Sequence, residues 1–159
     1  MKTGTILKLS ASIVICELIG SLGAIFTMPA VRSWYMEINK PSFNPPNWIF
    51  GPVWTALYLL MGIAFFLIWK KGLNNNKVKN AAVVFLVQLI VNFLWSVIFF
   101  GGRSYIGGLI TIAILWLLIL ANITMFYRIS KPAGLILLPY ILWVSFASIL
   151  NYYIYILNK

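Results

Sequence analysis

Five stretches that are free of charge, or nearly so, divide the chain: Leu9 to Val31, broken only by Glu17, then Pro41 to Trp69, Asn80 to Gly102, Ser104 to Tyr127 and Pro132 to Asn158. A bilayer core about 30 Å thick takes about 20 helical residues, so each stretch is long enough to span once and none to span twice. The pattern predicts an all-α membrane protein: a bundle of five transmembrane helices near residues 6–26, 48–69, 80–100, 105–127 and 134–157, in one domain over 1–159. The first stretch, with Lys2 and Lys8 ahead of an apolar run, has the outline of a secretion signal. Its apolar run exceeds the 7 to 15 residues usual there, and Glu17 is foreign to such a segment, so it is read as a retained helix.

Between the first two spans, residues 27–47 form the longest connection, and Pro41, Pro45 and Pro46 restrict it to extended or turn conformations. This is a stiff lid candidate. The second connection, Lys70 to Lys79, is polar and basic, and the last two are short, which makes the helices they join antiparallel neighbours. Pro52 and Pro139 predict local kinks within their spans.

Composition agrees with the pattern and narrows the chemistry. Of the 159 residues 62% are hydrophobic and 9% charged, whereas soluble domains carry about 25% charged residues. A formal net charge of +10 would suggest nucleic acid in a soluble chain. Here the basic residues sit between apolar runs, the habit of membrane flanks, and no nucleic-acid partner is expected. Lys2, Lys8, Lys70, Lys71, Lys77, Lys79, Arg128 and Lys131 share the N-terminal side, against Arg32, Lys40, Arg103 and Lys159 on the other. Eight against four predicts a cytoplasmic N-terminus, with the proline-rich loop outside. With no histidine, a single cysteine and only Glu17 and Glu37 as acids, the chain offers no metal cluster, no histidine-based triad and no imidazole for haem iron. Neither a metal nor an obligatory cofactor is expected, and whether the chain is an enzyme stays open.

Seven tryptophans and eight tyrosines are the most unusual signal. Trp69, Tyr127, Tyr153 and Tyr155 fit an interfacial aromatic belt. Trp54, Trp95, Trp116 and Trp143 lie inside the spans, where an indole N–H needs a partner or a polar ligand. Helical spacing puts Gln88, Asn92, Trp95, Ser96 and Phe99 on one stripe of the third span, which must face the bundle. Trp54, Tyr58 and Met61 share a face of the second span; Tyr140, Trp143, Ala147, Leu150 and Asn151 share one of the fifth. Converging, these faces would line a cavity for a flat, apolar ligand with a few polar edges. The same residues can equally serve helix packing and interhelical hydrogen bonds alone. Glu17 is open between two readings: a proton-coupled exporter site, as in small multidrug exporters with one acid in the first helix, or a hydrogen-bonded carboxyl on the packing face of Gly20, Ser21 and Ala24. Leu150, Tyr155 and Lys159 also satisfy a permissive cholesterol-contact pattern.

The motifs Trp34-Tyr35, Lys40-Pro41, Pro45-Pro46-Asn47-Trp48, Pro52-Val53-Trp54, Leu57-Tyr58 and Met61-Gly62 follow one another in order. Gln88, Asn92, Trp95-Ser96, Phe99-Phe100-Gly101, Arg103, Pro139-Tyr140, Trp143, Ala147 and Leu150-Asn151-Tyr152 complete the series. Together they resemble the tryptophan-rich sensory protein and translocator protein family (TspO/MBR), which includes the peripheral-type benzodiazepine receptor. The resemblance, to a bacterial member, implies a five-helix bundle, often a homodimer, in the bacterial cytoplasmic membrane, with a pocket capped by the first loop. It implies a receptor or carrier that binds protoporphyrin IX and haem-related tetrapyrroles, benzodiazepine- or isoquinoline-type ligands and other lipophilic small molecules, in tetrapyrrole regulation or stress sensing. Tyr35, Trp54, Tyr58 and Asn92 match positions that line or adjoin the pocket, as do Trp95, Trp143, Ala147 and Leu150. Arg32, Lys40 and Arg103, on the lid side, are candidates to pair with porphyrin propionates. Light-dependent porphyrin degradation is a further activity in the family; Trp54 and Trp143 are the candidate electron donors for it. Glu17 departs from the family pattern.

Overall fold

The computed structural model describes residues Thr3 to Lys159; Lys2, counted above on the N-terminal side, lies outside the described residues. Helix α1 runs from Thr3 to Val31 and is followed by a one-turn helix α2, Trp34–Glu37, and an extended segment through the prolines. A 3-10 turn, Asn47–Ile49, leads into α3, Phe50–Trp69. Helix α4, Asn76–Ser96, continues into a π-helical turn, Val97–Gly101, and is followed by α5, Tyr105–Ile129. The last crossing is made in two pieces, α6 from Lys131 to Ile136 and α7 from Leu138 to Asn158. Among the described residues, five helical segments are thus long and apolar enough to cross a membrane.

Local chemistry explains where these elements run past or short of the pattern. Helix α1 continues through Pro29 to Val31, and on either side of the missing proline N–H the Thr27 and Ser33 hydroxyls donate back to the carbonyls of Gly23 (3.1 Å) and Pro29 (2.9 Å). Pro52 lies in the first turn of α3, where its lost donor has little intrahelical use, and it breaks nothing. Pro139 begins α7 and has no N–H for the carbonyl of Leu135, so the last span breaks at Leu137, whose N–H turns to Gly134 O at 3.2 Å. Asn75 and Ser104 cap α4 and α5, accepting from the backbone N–H of Lys77 (2.9 Å) and Gly107 (3.1 Å).

Packing makes a ring of helices in the order α1, α3, α6 with α7, α5, α4 and back to α1. The short connections do join neighbours, α4 to α5 and α5 to α6. Helices α3 and α4, joined by the longer basic loop, meet only lightly, and α1 leans into the gap between them. Water does not drive helices together inside a bilayer, so their contact rests on close packing and polar partners. Away from the lid, aromatic rings stack through the interior: Phe65 lies on Phe85 at 4.8 Å and 3°, and Phe85 on Phe126 at 5.6 Å. There α1 and α3 touch almost backbone to backbone, since a Cβ on Gly62 would lie 2.7 Å from Ile13 Cα.

The segment between α2 and α3 lies over the other end and is fastened to the end of α7. Asn39 N–H donates to Asn158 Oδ1 (2.9 Å), Asn158 Nδ2 returns a bond to Asn39 O (2.8 Å), and Asn39 Nδ2 donates to Leu157 O (3.3 Å). Phe43 packs edge-on against Phe146 and Tyr153, at 6.3 and 5.3 Å.

Candidate functional site: an aromatic cleft under the lid

On the lid side of the Gly62 contact, α1 and α3 enclose with α4 a cavity of about 180 Å³. Helix α1 supplies a stripe at helical spacing, from Glu17 through Gly20, Ala24 and Thr27 to Val31. Its glycines set the approach of the neighbouring helices: the Tyr58 ring occupies the place of a Cβ on Gly20, and Ser96 Oγ lies 3.1 Å from where one on Gly23 would be. Helix α3 supplies Phe50, Trp54 and Tyr58, each four residues on, and α4 supplies Asn92, Trp95, Ser96 and, through its π-turn, Phe100. Ser21, Met28, Gly51 and Thr55 also line the cavity and are exposed, so it is a cleft with a rim toward the bilayer between α1 and α3.

The amide stripe of α4 faces inward and is fully engaged. Tyr58 donates to Asn92 Oδ1 at 2.5 Å, Asn92 Nδ2 donates to Tyr140 Oη at 2.7 Å, and Tyr140 donates to Gln88 Oε1 at 2.9 Å. Gln88, Asn92 and Tyr140 are each 1% exposed, where an unpaired polar group would be costly. This chain ties α3, α4 and α7 together and forms the inner boundary of the cleft.

Trp54, Tyr58 and Trp95 are the aromatic wall. Trp54 lies 5.7 Å from Tyr58 and 6.0 Å from Trp95, tilted by 32° and 35°. A ring inserted face to face between two others needs about 7 Å, two van der Waals contacts, so no plate slots between these indoles. It would lie across them. Trp95 is held by Phe99 stacked at 5.8 Å and 5°, and its Nε1 donates to Asn151 Oδ1 at 3.3 Å.

Of the eight residues expected to line or adjoin a pocket, Trp54, Tyr58, Asn92 and Trp95 are thus brought together on the cleft. Tyr35 is buried at its roof, its ring 6.3 Å from Phe50 and 5.8 Å from Phe100, and its hydroxyl donates to Asn44 Oδ1 at 2.6 Å. Burial pushes the Tyr35 phenol above its ordinary range, so it stays a neutral donor holding the lid. Trp143 stands behind Phe50 at 6.2 Å, with its Nε1 buried and without an acceptor among the described residues. Ala147 and Leu150 are buried on the inner face of α7 and lie outside the cleft lining. Trp116, the remaining interior indole, donates to Ser145 Oγ at 2.8 Å between α5 and α7.

The three basic candidates differ. Lys40 Nζ donates to the carbonyls of Tyr35 (2.6 Å), Ile38 (3.0 Å) and Met36 (3.2 Å), so its three hydrogens are spent on closing α2. Arg32 is exposed one residue beyond Val31 of the cleft. Arg103 is exposed three residues beyond Phe100 and has a φ of 51°, the left-handed position that ends the π-turn. Phe50, Phe100 and the α1 stripe complete the cleft without having been singled out as ligand contacts. Only the spacing of Glu17, Gly20, Ser21 and Ala24 marked that stripe, and it reads equally as a packing face.

Residues 12–157 match the model of the TspO/MBR family. The chain is 47% identical to the tryptophan-rich protein TspO of Archaeoglobus fulgidus, over 96% of this chain and 98% of that protein. It is 46% identical to the tryptophan-rich protein TspO of Chlorobaculum tepidum, over 96% and 97% of the two chains. It is 35% identical to the translocator protein of Homo sapiens, over 82% of this chain and 78% of that one. With the family model covering nearly its whole length and its five apolar helices arranged as one bundle, the chain belongs to the TspO/MBR family of integral membrane proteins.

Proposed function

We propose that the protein is a membrane receptor or carrier for planar aromatic molecules, protoporphyrin IX and haem-related tetrapyrroles or benzodiazepine- and isoquinoline-type compounds, held in the cleft under the lid. The reading rests on one observation: Trp54, Tyr58 and Trp95 present a continuous aromatic wall to a cavity beneath a fastened lid. Size defines how such ligands fit. Drug-sized sites measure roughly 300–1,000 Å³, so the present 180 Å³ seats two or three fused rings, and a tetrapyrrole requires α1 to swing away from α3 or part of the macrocycle to project through the rim. Helix α1 is suited to that movement, as the least buried of the five spans. The propionates would then lie at the lid end, within reach of Arg32 and Arg103, with Lys40 keeping its backbone role. Iron ligation plays no part in the reading, so metal-free porphyrin is the ligand to test.

Tryptophan fluorescence titrated with protoporphyrin IX in detergent should show saturable quenching. Trp54→Leu should weaken binding by about tenfold, as for a contact worth about 1.4 kcal/mol. Absence of saturable quenching, or a Trp54→Leu protein that binds as well as wild type, overturns the reading. The same reading takes the protein as a homodimer in the bacterial cytoplasmic membrane with its N-terminus inside. A reporter active only outside the cytoplasm, fused after Lys159, should be active; an inactive one beside an active N-terminal fusion reverses the orientation.

A further inference from the structure

We propose that the inner end of the cleft is a recognition site for a planar organic cation, with Glu17 as its counter-charge; the inference rests on the cleft reading above. Glu17 is fourteen residues from either end of α1, Thr3 and Val31, and so sits at mid-span. It lines the cavity and is only partly buried, and among the described residues the lining contains no lysine or arginine to neutralise it. Packing does not account for it, because α1 meets its neighbours on this face through Gly20 against the Tyr58 ring and Gly23 against Ser96. A carboxyl placed so deep in a bilayer without a partner is costly, and an incoming positive nitrogen offsets that cost.

The surroundings select the rest of the ligand. The rings of Tyr58, Trp54 and Trp95 line the same cavity, and aromatic faces attract a cation most strongly where water is excluded. A cavity of 180 Å³ suits two or three fused rings. The recognised class is therefore a small, flat, singly charged aromatic amine, its nitrogen toward Glu17 and its ring across the indoles. Glu17 and the lid-side arginines then divide the cleft by charge. A tetrapyrrole must keep its propionates at the Arg32 and Arg103 end, and a cation points its nitrogen the other way.

Acridine and 9-aminoacridine test this, being tricycles of nearly equal size that are respectively neutral and cationic at neutral pH. In phosphatidylcholine nanodiscs, wild-type protein should bind the cation about tenfold more tightly than the neutral ring. Glu17→Gln should erase that preference while leaving affinity for acridine within about twofold. Carbodiimide labelling of wild-type Glu17, read by mass spectrometry, supplies a second measurement independent of any variant: the aminoacridine should protect the carboxyl and acridine should not. Equal affinities in wild type, an unchanged preference in Glu17→Gln, or equal protection by both ligands overturns the proposal. If protoporphyrin binds while any of these holds, the charge-selective site alone is lost. If neither protoporphyrin nor acridine binds, the aromatic cleft falls with it.

Discussion

Gly62→Leu should destabilise the bundle by about 2 kcal/mol or more in mixed micelles, and saturable protoporphyrin binding should go with it. Adding carbon to a filled interior costs about 1–3 kcal/mol when side chains can adjust. Here a Cβ alone would lie 2.7 Å from Ile13 Cα, part of a helix backbone that cannot rotate away. Improved helix propensity returns at most about 1 kcal/mol of this loss. Helix α1 would be displaced as a whole, and with it one wall of the cleft. Gly51→Ala is the control, since nothing lies within 4 Å of a Cβ there. That variant should be as stable as wild type or gain up to about 1 kcal/mol from reduced backbone freedom. Equal unfolding midpoints for Gly62→Leu and wild type would show that α1 is not seated at this contact.

Asn92→Leu should cost about 1–3 kcal/mol of stability and loosen the inner boundary of the cleft. It removes the acceptor of Tyr58 and one donor to Tyr140 at positions sealed from solvent. A buried polar group left without a partner costs about 1–3 kcal/mol in a soluble protein, whereas hydrogen bonds between membrane helices average about 0.6 kcal/mol, because the dissociated helices find other partners. The network argues for a value above that average, since Asn92 joins α3 to α7 and its loss strands the Tyr58 hydroxyl and takes from Tyr140 one of its two bonds, leaving the one to Gln88. A double-mutant cycle separates these contributions. Tyr58→Phe alone should also destabilise, and the double variant should lose less than the sum by about 1 kcal/mol, the signature of a shared bond. Strict additivity would show that Tyr58 and Asn92 act independently. Tyr58→Phe keeps its ring on the cleft, so its affinity for protoporphyrin should fall less than that of Trp54→Leu.

Much of the architecture was legible because a bilayer imposes so few solutions. Uncharged runs of the right length had to be spans, and Gln88 and Asn92 at helical spacing had to face inward, as they do. What periodicity could not convey was how that inward stripe is satisfied. Tyr58 and Tyr140 consume the amides, which closes the α7 side and leaves the hollow between α1, α3 and α4. Spacing placed Trp143 on a face with Tyr140 and Ala147, but whether Phe50 stands in front of it depends on how far two helices approach, which a linear pattern does not encode. The lysine at position 40 is a similar case. Its charge marked it as available, and only the chain reversal after α2 reveals three carbonyls gathered around it. The sequence of helix α1 is ambiguous, since small residues beside one acid describe a tight seam and an open groove equally well; the helix holds both, the seam against Gly62 and the groove from Glu17 onward.

The pairing of Asn39 with Asn158 joins residues 119 positions apart. During synthesis the first of these leaves the ribosome long before the second exists, and chains assemble from the N-terminus as they are inserted. The roof of the cleft is therefore the last part to set. Until the final turn of α7 has been made and threaded across the membrane, a nascent molecule can hold its first four crossings while the cover over its hollow remains untied.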